Sequence, residues 1–152
     1  MLIALFLCIG FMLAVLYIDL MFDVTAVPYR HTKTTLPKEV LGPITHYYGR
    51  ITQNPYVLMF VMLTTAICLV MQIVNDLVPR WAGYSSLFVM GLAMVAGTVK
   101  VIPTAERLAS GKDPEDRQTR LVHSMFPWHV LLLLCILVLA AIQFSTTGRS
   151  TP

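Results

Sequence analysis

Four apolar runs, each about as long as a bilayer core is thick, constrain this chain more than any other feature. They cover 2–22, 55–74, 81–99 and 121–144. A helix rises 1.5 Å per residue, so about 20 residues cross the hydrocarbon. In lipid every backbone N–H and C=O must find its partner inside the protein, and a helix supplies that partner within its own segment. The expected fold is therefore all-α, a polytopic membrane four-helix bundle. Composition points the same way: 57% of residues are hydrophobic and 12% charged, against about 25% charged in an ordinary soluble domain. The 152 residues are expected to form one integral membrane domain, 1–152. A net charge of +3 is too small to imply nucleic acid, so the lipid bilayer is the first partner. The first run has no basic segment before it and no small-residue cleavage site after it, so it is expected to remain as a mature helix.

Punctuation between the runs predicts how the helices begin and end. Asn54-Pro55 combines a capping amide with proline at the first helical position. Beyond Lys100, the stretch Thr104-Ala105-Glu106-Arg107-Leu108-Ala109 still favours helix, with a kink expected at Pro103. Gly111 suits the left-handed residue that closes a helix. Asp113-Pro114-Glu115-Asp116 reads as an N-cap, a first-position proline and two acids in the positive first turn. Helices 3 and 4 are thus expected to extend past the membrane as a hairpin. The segment 24–53 is too polar to span, and two short surface helices are expected over 36–41 and 44–51. Tyr29, Tyr47, Tyr48 and Tyr56 fit an aromatic belt, with Trp81 and Tyr84 at the opposite interface.

Charge placement predicts orientation. The segments joining runs one to two and three to four hold Arg30, Lys33, Lys38, Arg50, Lys100, Arg107, Lys112, Arg117 and Arg120. The terminal side holds only Arg80 and Arg149. Nine against two follows the positive-inside rule and places both termini on the non-cytoplasmic side of a cell membrane. The hairpin then becomes a cytoplasmic extension.

Ionisable groups inside spans are costly and mark either ion pairs or a site. Asp19 and Asp23 stand one turn apart on the first helix. Lys100 closes the third run, while Arg120 and His123 open the fourth and His129 lies deeper. His46 lies in the polar connection. Two readings stand side by side. In one, Asp19 and Asp23 pair with Lys100, Arg107 or Arg120 and the histidines are interfacial. In the other, acids and histidines line a pocket open to the cytoplasmic leaflet. The candidate catalytic groups are then Asp19, His123 and His129, with Lys100, Arg107, Arg120 and Asp23 binding substrate. His46, His123 and His129 are the candidate ligands should a metal be present; no cofactor is specified. His123 and His129 stand about 120° apart on a regular helix, so Pro127 between them would have to turn both rings to one cavity.

Thr65, Cys68, Gln72 and Asn75 follow i, i+3, i+7, i+10 and form a polar stripe expected to face inward and bond between helices. Gly10 with Ala14, and Ala93 with Gly97, are small-residue pairs that would permit close helix approach. Cys8, Cys68 and Cys135 are expected to be packed thiols.

The polar end of the first helix, Pro103-Thr104-Ala105-Glu106-Arg107-Leu108 and Arg120-Leu121-Val122-His123 together resemble small four-helix membrane proteins of the anthrone-oxygenase-like family. Ala105 and Glu106 stand where that family has an asparagine, and Pro127 and Trp128 where it has an arginine. Asn54-Pro55 and Pro127 are also similar in placement to bacterial four-helix protoporphyrinogen oxidase and copper-resistance membrane proteins, although Asp19 and Asp23 replace the histidine and basic residue of that oxidase. The resemblance implies a membrane oxidoreductase acting on a lipid-soluble small molecule. The alternative is a non-catalytic binding or assembly subunit using the hairpin as its contact surface, either in a homo-oligomer or with a membrane partner.

Overall fold

The computed structural model of the chain describes residues 1–30 and 35–147. Lys33 and Arg149, which contribute to the charge asymmetry, lie outside the described residues. The order is α1 (Leu2–Val24), a 3-10 turn (Val27–Tyr29), α2 (Lys38–Ile51), α3 (Pro55–Val74), α4 (Arg80–Ala96), a π-helical turn (Gly97–Val101), α5 (Ile102–Ser110) and α6 (Glu115–Thr147). No strand occurs among the described residues. Four helical stretches are long and apolar enough to cross a membrane: Leu2–Val24, Pro55–Val74, Arg80–Ser110 and Glu115–Thr146. The last two have 31 and 32 residues. At 1.5 Å per residue each is over 45 Å long, well beyond a hydrocarbon core of about 30 Å.

α1 lies against α3 and α6, and α4 lies against the same two helices. The shared interior begins with Leu5, Ile9, Met12 and Leu16, which recur every three or four residues along one face of α1. They meet Cys68 and Leu69 of α3, Met90 and Ala93 of α4, and Cys135, Ile136 and Leu139 of α6. Large apolar residues on the outer faces, among them Leu7, Phe60, Phe88 and Phe144, are exposed, as befits helices surrounded by lipid. All three cysteines are free thiols; Cys68 and Cys135 are buried and Cys8 half-buried.

At one end of this interior, Gln72 Nε2 donates to Gln143 Oε1 (2.9 Å) and Gln143 Nε2 donates to Ser86 Oγ (2.9 Å). Three helices are therefore joined by one side-chain chain. Thr65, Cys68 and Gln72 of the polar stripe face inward, but Asn75 is exposed. Only Gln72 bonds across helices, because the Thr65 hydroxyl is taken by the Val61 carbonyl of its own helix. α3 ends in a Schellman arrangement: Leu77 N–H reaches Gln72 O, Asp76 N–H reaches Ile73 O, and Asp76 takes φ 48°. Ala93 and Gly97 are buried and Gly10 and Ala14 exposed, but a Cβ at Gly10 or at Gly97 would meet nothing within 4 Å, so neither glycine is needed for close helix approach.

At the other end α2 lies along α5. Leu41, Ile44 and Tyr48 form its buried stripe and meet Ala105 and Leu108 of α5 and Val122 and Met125 of α6. Where two short helices are expected, one helix runs through Pro43. Pro43 is the sixth residue of α2, past the four donors that lack a partner at a helix start, so its ring costs the helix one backbone bond, that to the Glu39 carbonyl. Gly111 closes α5 at φ 60° with its N–H on Leu108 O, as its position predicts. The two capping expectations shift. Asn54 precedes α3 without a side-chain cap bond. Pro114 supplies the carbonyl that receives Gln118 N–H, so α6 begins at Glu115. The Asp113 carboxylate is held instead by Arg107 at 3.0 Å, with Arg117 at 3.6 Å.

Candidate functional site

The apolar stripe of α1 ends in two carboxylates. Leu5, Ile9, Met12, Leu16, Asp19 and Asp23 advance by four, three, four, three and four residues, so Asp19 and Asp23 are carried inward by the same face that builds the interior. The Asp23 side chain is 0% exposed and that of Asp19 11%. A buried carboxylate is very costly unless its oxygens are satisfied. Here the partners come from α2 and α6. Tyr48 Oη donates to Asp23 Oδ1 (2.9 Å), and Tyr47 Oη donates to Asp19 Oδ1 (2.7 Å). His129 Nδ1 lies 2.6 Å from Asp23 Oδ2, while its Nε2 lies 3.9 Å from Asp19 Oδ2. The imidazole is 1% exposed.

These contacts assign roles to the two ring nitrogens. Asp23 receives the tyrosine proton on one oxygen, and as a carboxylate it accepts Nδ1–H on the other. With Nδ1 engaged on Asp23, Nε2 is the nitrogen turned toward Asp19 and the cavities beside it. Phe22 stacks on Tyr47 with ring centroids 4.0 Å apart, and Tyr47 meets Tyr48 edge-on at 5.4 Å. α2 thus caps the carboxylate pair with an aromatic layer.

Burial, and then the adjacent carboxylates, hold the phenols of Tyr47 and Tyr48 far above the ordinary tyrosine range. Both remain donors at any physiological pH. The sign for stability follows. A raised native value stabilises the fold fully below the unfolded value of about 10. Above that, the unfolded chain releases phenol protons that the native chain retains, so stability falls as pH rises. In an alkaline absorbance titration of detergent-solubilised protein, Tyr47 and Tyr48 are expected not to ionise at pH ~10, the value of a free phenol, but only on unfolding. Tyr47→Phe/Tyr48→Phe protein that still shows the same late-titrating fraction would contradict this assignment.

Asp19 and His129 also face empty space. An inner cavity of about 80 Å³ runs from them between Met12, Leu16, Met90 and Ala93. An outer cavity of about 370 Å³ runs from the same two residues past Leu58, Met62, Met94 and Ile102. The two share Val15, Leu58, Met62, Val101 and Ile102, so the polar pair stands at their junction. Exposed Met59, Phe60 and Leu63 of α3 and exposed Thr98 of the π-helical turn form the outer mouth. The cavity therefore opens sideways between helices, with Thr52, Asn54 and Glu106 as its few polar edges. The π turn, with one residue more per turn than its flanks, sits on this wall, where such turns often occur. A Cβ at Gly97 would meet nothing within 4 Å.

The candidate residues separate into two groups. Asp19, Asp23 and His129 converge. His123, half-buried on α6, lies within electrostatic reach of Arg30 and does not line either cavity. The three basic candidates stand away from the carboxylates. Arg107 pairs with Asp113, Arg120 pairs with Asp116 at 2.9 Å, and Lys100 is exposed on the π turn. No ion pair joins them to Asp19 or Asp23 among the described residues, so the charge-pairing reading gives way to a histidine–tyrosine one. His46 is exposed beside Arg50 at a shallow cleft between α2 and α5. Among the described residues no group of three or more His, Cys, Asp or Glu side chains is arranged to hold a metal ion. Tyr47 and Tyr48 are the carboxylate partners that the aromatic-belt expectation misplaces. The i, i+3, i+7 stripe Leu41, Ile44, Tyr48 was the signal that could have turned Tyr48 inward.

No family model, curated protein or solved structure matches this chain.

Proposed function

We propose that this chain is a four-helix membrane bundle that binds a lipid-soluble small molecule from the bilayer and exchanges a proton with it at His129. The observation that carries this reading is the clamped imidazole at the junction of two apolar cavities. Nδ1 is anchored on Asp23, and Nε2 faces Asp19 across 3.9 Å. A base oriented through one nitrogen by a buried carboxylate, with the other nitrogen facing a dry pocket, is the arrangement general acid–base chemistry needs. Charge asymmetry supports a topology with both termini on the non-cytoplasmic side. The site then lies in the cytoplasmic half, and α2, α5 and the start of α6 form a cytoplasmic extension. The resemblance to membrane oxidoreductases supports redox chemistry on the bound molecule, with an electron acceptor as co-reactant.

The alternative, an assembly subunit docking through the hairpin, has less support. Several hairpin charges already have partners, Arg107 with Asp113 and Arg120 with Asp116 inside the hairpin and Glu115 with Lys38 of α2.

The test is to extract the protein with its surrounding lipid in polymer-bounded discs and compare the small molecules retained by wild type and Leu58→Trp. The indole would fill the cavity shared by both lobes. A hydrophobic species enriched over bulk lipid in wild type and lost in the variant is expected. Identical profiles from two equally folded proteins would overturn the reading.

A further inference from the structure

The polar junction has a geometry that selects among lipid-soluble molecules, and the selection rests on the binding reading above. His129 Nε2 and Asp19 Oδ2 are 3.9 Å apart, too far for a direct hydrogen bond. One oxygen atom about 2.8 Å from each would bridge them, the usual length for a hydrogen-bonded hydroxyl. Which groups can stand there depends on the protons. If Nε2 carries a proton, the bridging oxygen must accept from Nε2 and donate to the carboxylate. If neither atom does, the bridging group must donate. A hydroxyl meets the first case in full and in the second gives its one proton to either acceptor, because it is donor and acceptor at once. A carbonyl or ether oxygen accepts only, and leaves Asp19 Oδ2 facing it unsatisfied in apolar surroundings.

The walls specify the rest of the molecule. Around the junction stand Leu58, Met62, Met94 and Ile102, with Met59 and Leu63 at the mouth. These side chains are aliphatic and thioether, adaptable to a flexible chain, and the only aromatic side chains in either lining are Phe60 at the mouth and Tyr48. The inner cavity between Met12, Met90 and Ala93 gives room for a short branch beyond the hydroxyl. We propose that the site takes a long-chain aliphatic alcohol, its hydroxyl seated between His129 Nε2 and Asp19 Oδ2 and its chain leaving between α3 and α4 toward the bilayer.

The experiment uses the full chain in lipid nanodiscs and a photoreactive long-chain alcohol carrying a diazirine on its chain. Crosslinks are mapped by mass spectrometry and competed with an unlabelled alcohol, its methyl ether and the ketone of equal chain length. Labelling is expected on Met59, Leu63 or Met94. The alcohol should displace it at least about tenfold more effectively than ether or ketone, as in sites built to hydrogen-bond a hydroxyl. Asp19→Asn adds an N–H donor at the junction, so the ketone is expected to compete there as well as the alcohol. The wild-type comparison alone decides the proposal should that variant fail to fold. Labelling in the cavity displaced equally by all three competitors would overturn the hydroxyl assignment and leave the binding reading intact. Absence of labelling at the cavity with alcohol, ether and ketone versions of the probe would overturn both.

Discussion

Asp23→Ala is expected to destabilise the protein by about 2–6 kcal/mol, the loss when two buried donors are left unsatisfied at about 1–3 kcal/mol each. The carboxylate is fully buried and satisfies two groups at once, the Tyr48 hydroxyl at 2.9 Å and His129 Nδ1 at 2.6 Å. Removing it leaves a phenol and an imidazole N–H without partners in a place water does not reach. The neighbouring Asp19→Asn should cost much less, about 1 kcal/mol, because the amide oxygen can still receive Tyr47 and no direct bond to His129 exists to be lost. Equilibrium unfolding of both variants in mixed micelles by denaturing detergent gives the comparison. Equal losses would mean that the two carboxylates do not have the different structural weights their partners imply.

The second large effect is expected at Leu108→Ala. Leu108 is 0% exposed and sits beneath Ile44 and Tyr48, where α2 rests on α5. In the proposed topology α5 stands in water, so burial there is driven by the hydrophobic effect. A leucine-to-alanine change in such a core costs about 2–5 kcal/mol, including the cavity left behind. The loss should be local. α2 would detach while α1, α3, α4 and α6 keep their mutual contacts. Hydrogen exchange would then show α2 amides losing protection with those of α3 and the core of α6 unchanged, and Tyr47 and Tyr48 would titrate at ordinary pH. Uniform loss of protection across all helices would show instead that α2 is integral to the transmembrane core.

Much of the architecture is legible in the sequence because hydrocarbon imposes a simple rule. A run of about 20 apolar residues has few alternatives to a helix, so the four long stretches are readable to within a few residues. The αL cap at Gly111 is equally readable, since only glycine takes φ 60° without strain. The site is readable only in part. Asp19 and Asp23 announce themselves as carboxylates in a span, and their spacing puts them on one face. Their partners do not. Opposite charge directs attention to Lys100, Arg107 and Arg120, yet long basic side chains near helix ends readily reach water, and two of these three find acids on their own hairpin. Tyr47 and Tyr48 are hidden by a different ambiguity. A tyrosine near a membrane surface fits a lipid headgroup as well as a buried carboxylate, and what decides is the rotation of α2, which depends on its contact with α5. His123 and His129 show the limit of spacing arguments in another way. Pro127 between them is accommodated within one continuous helix, and only His129 reaches the carboxylates.

The π-helical turn at Gly97–Val101 has a consequence for how this molecule can diversify. From Arg80 to Ser110 the chain is one rod, but the rod addresses two audiences, the transmembrane interior through α4 and the α2 cover through α5. One residue more or fewer in an α-helix swings everything beyond it by about 100°. The wide turn absorbs that mismatch within a wall that borders both cavities. A single-residue insertion or deletion here would therefore re-aim Val101 and Ile102 together with all of α5, and reshape both cavities, while leaving the register of α4 untouched.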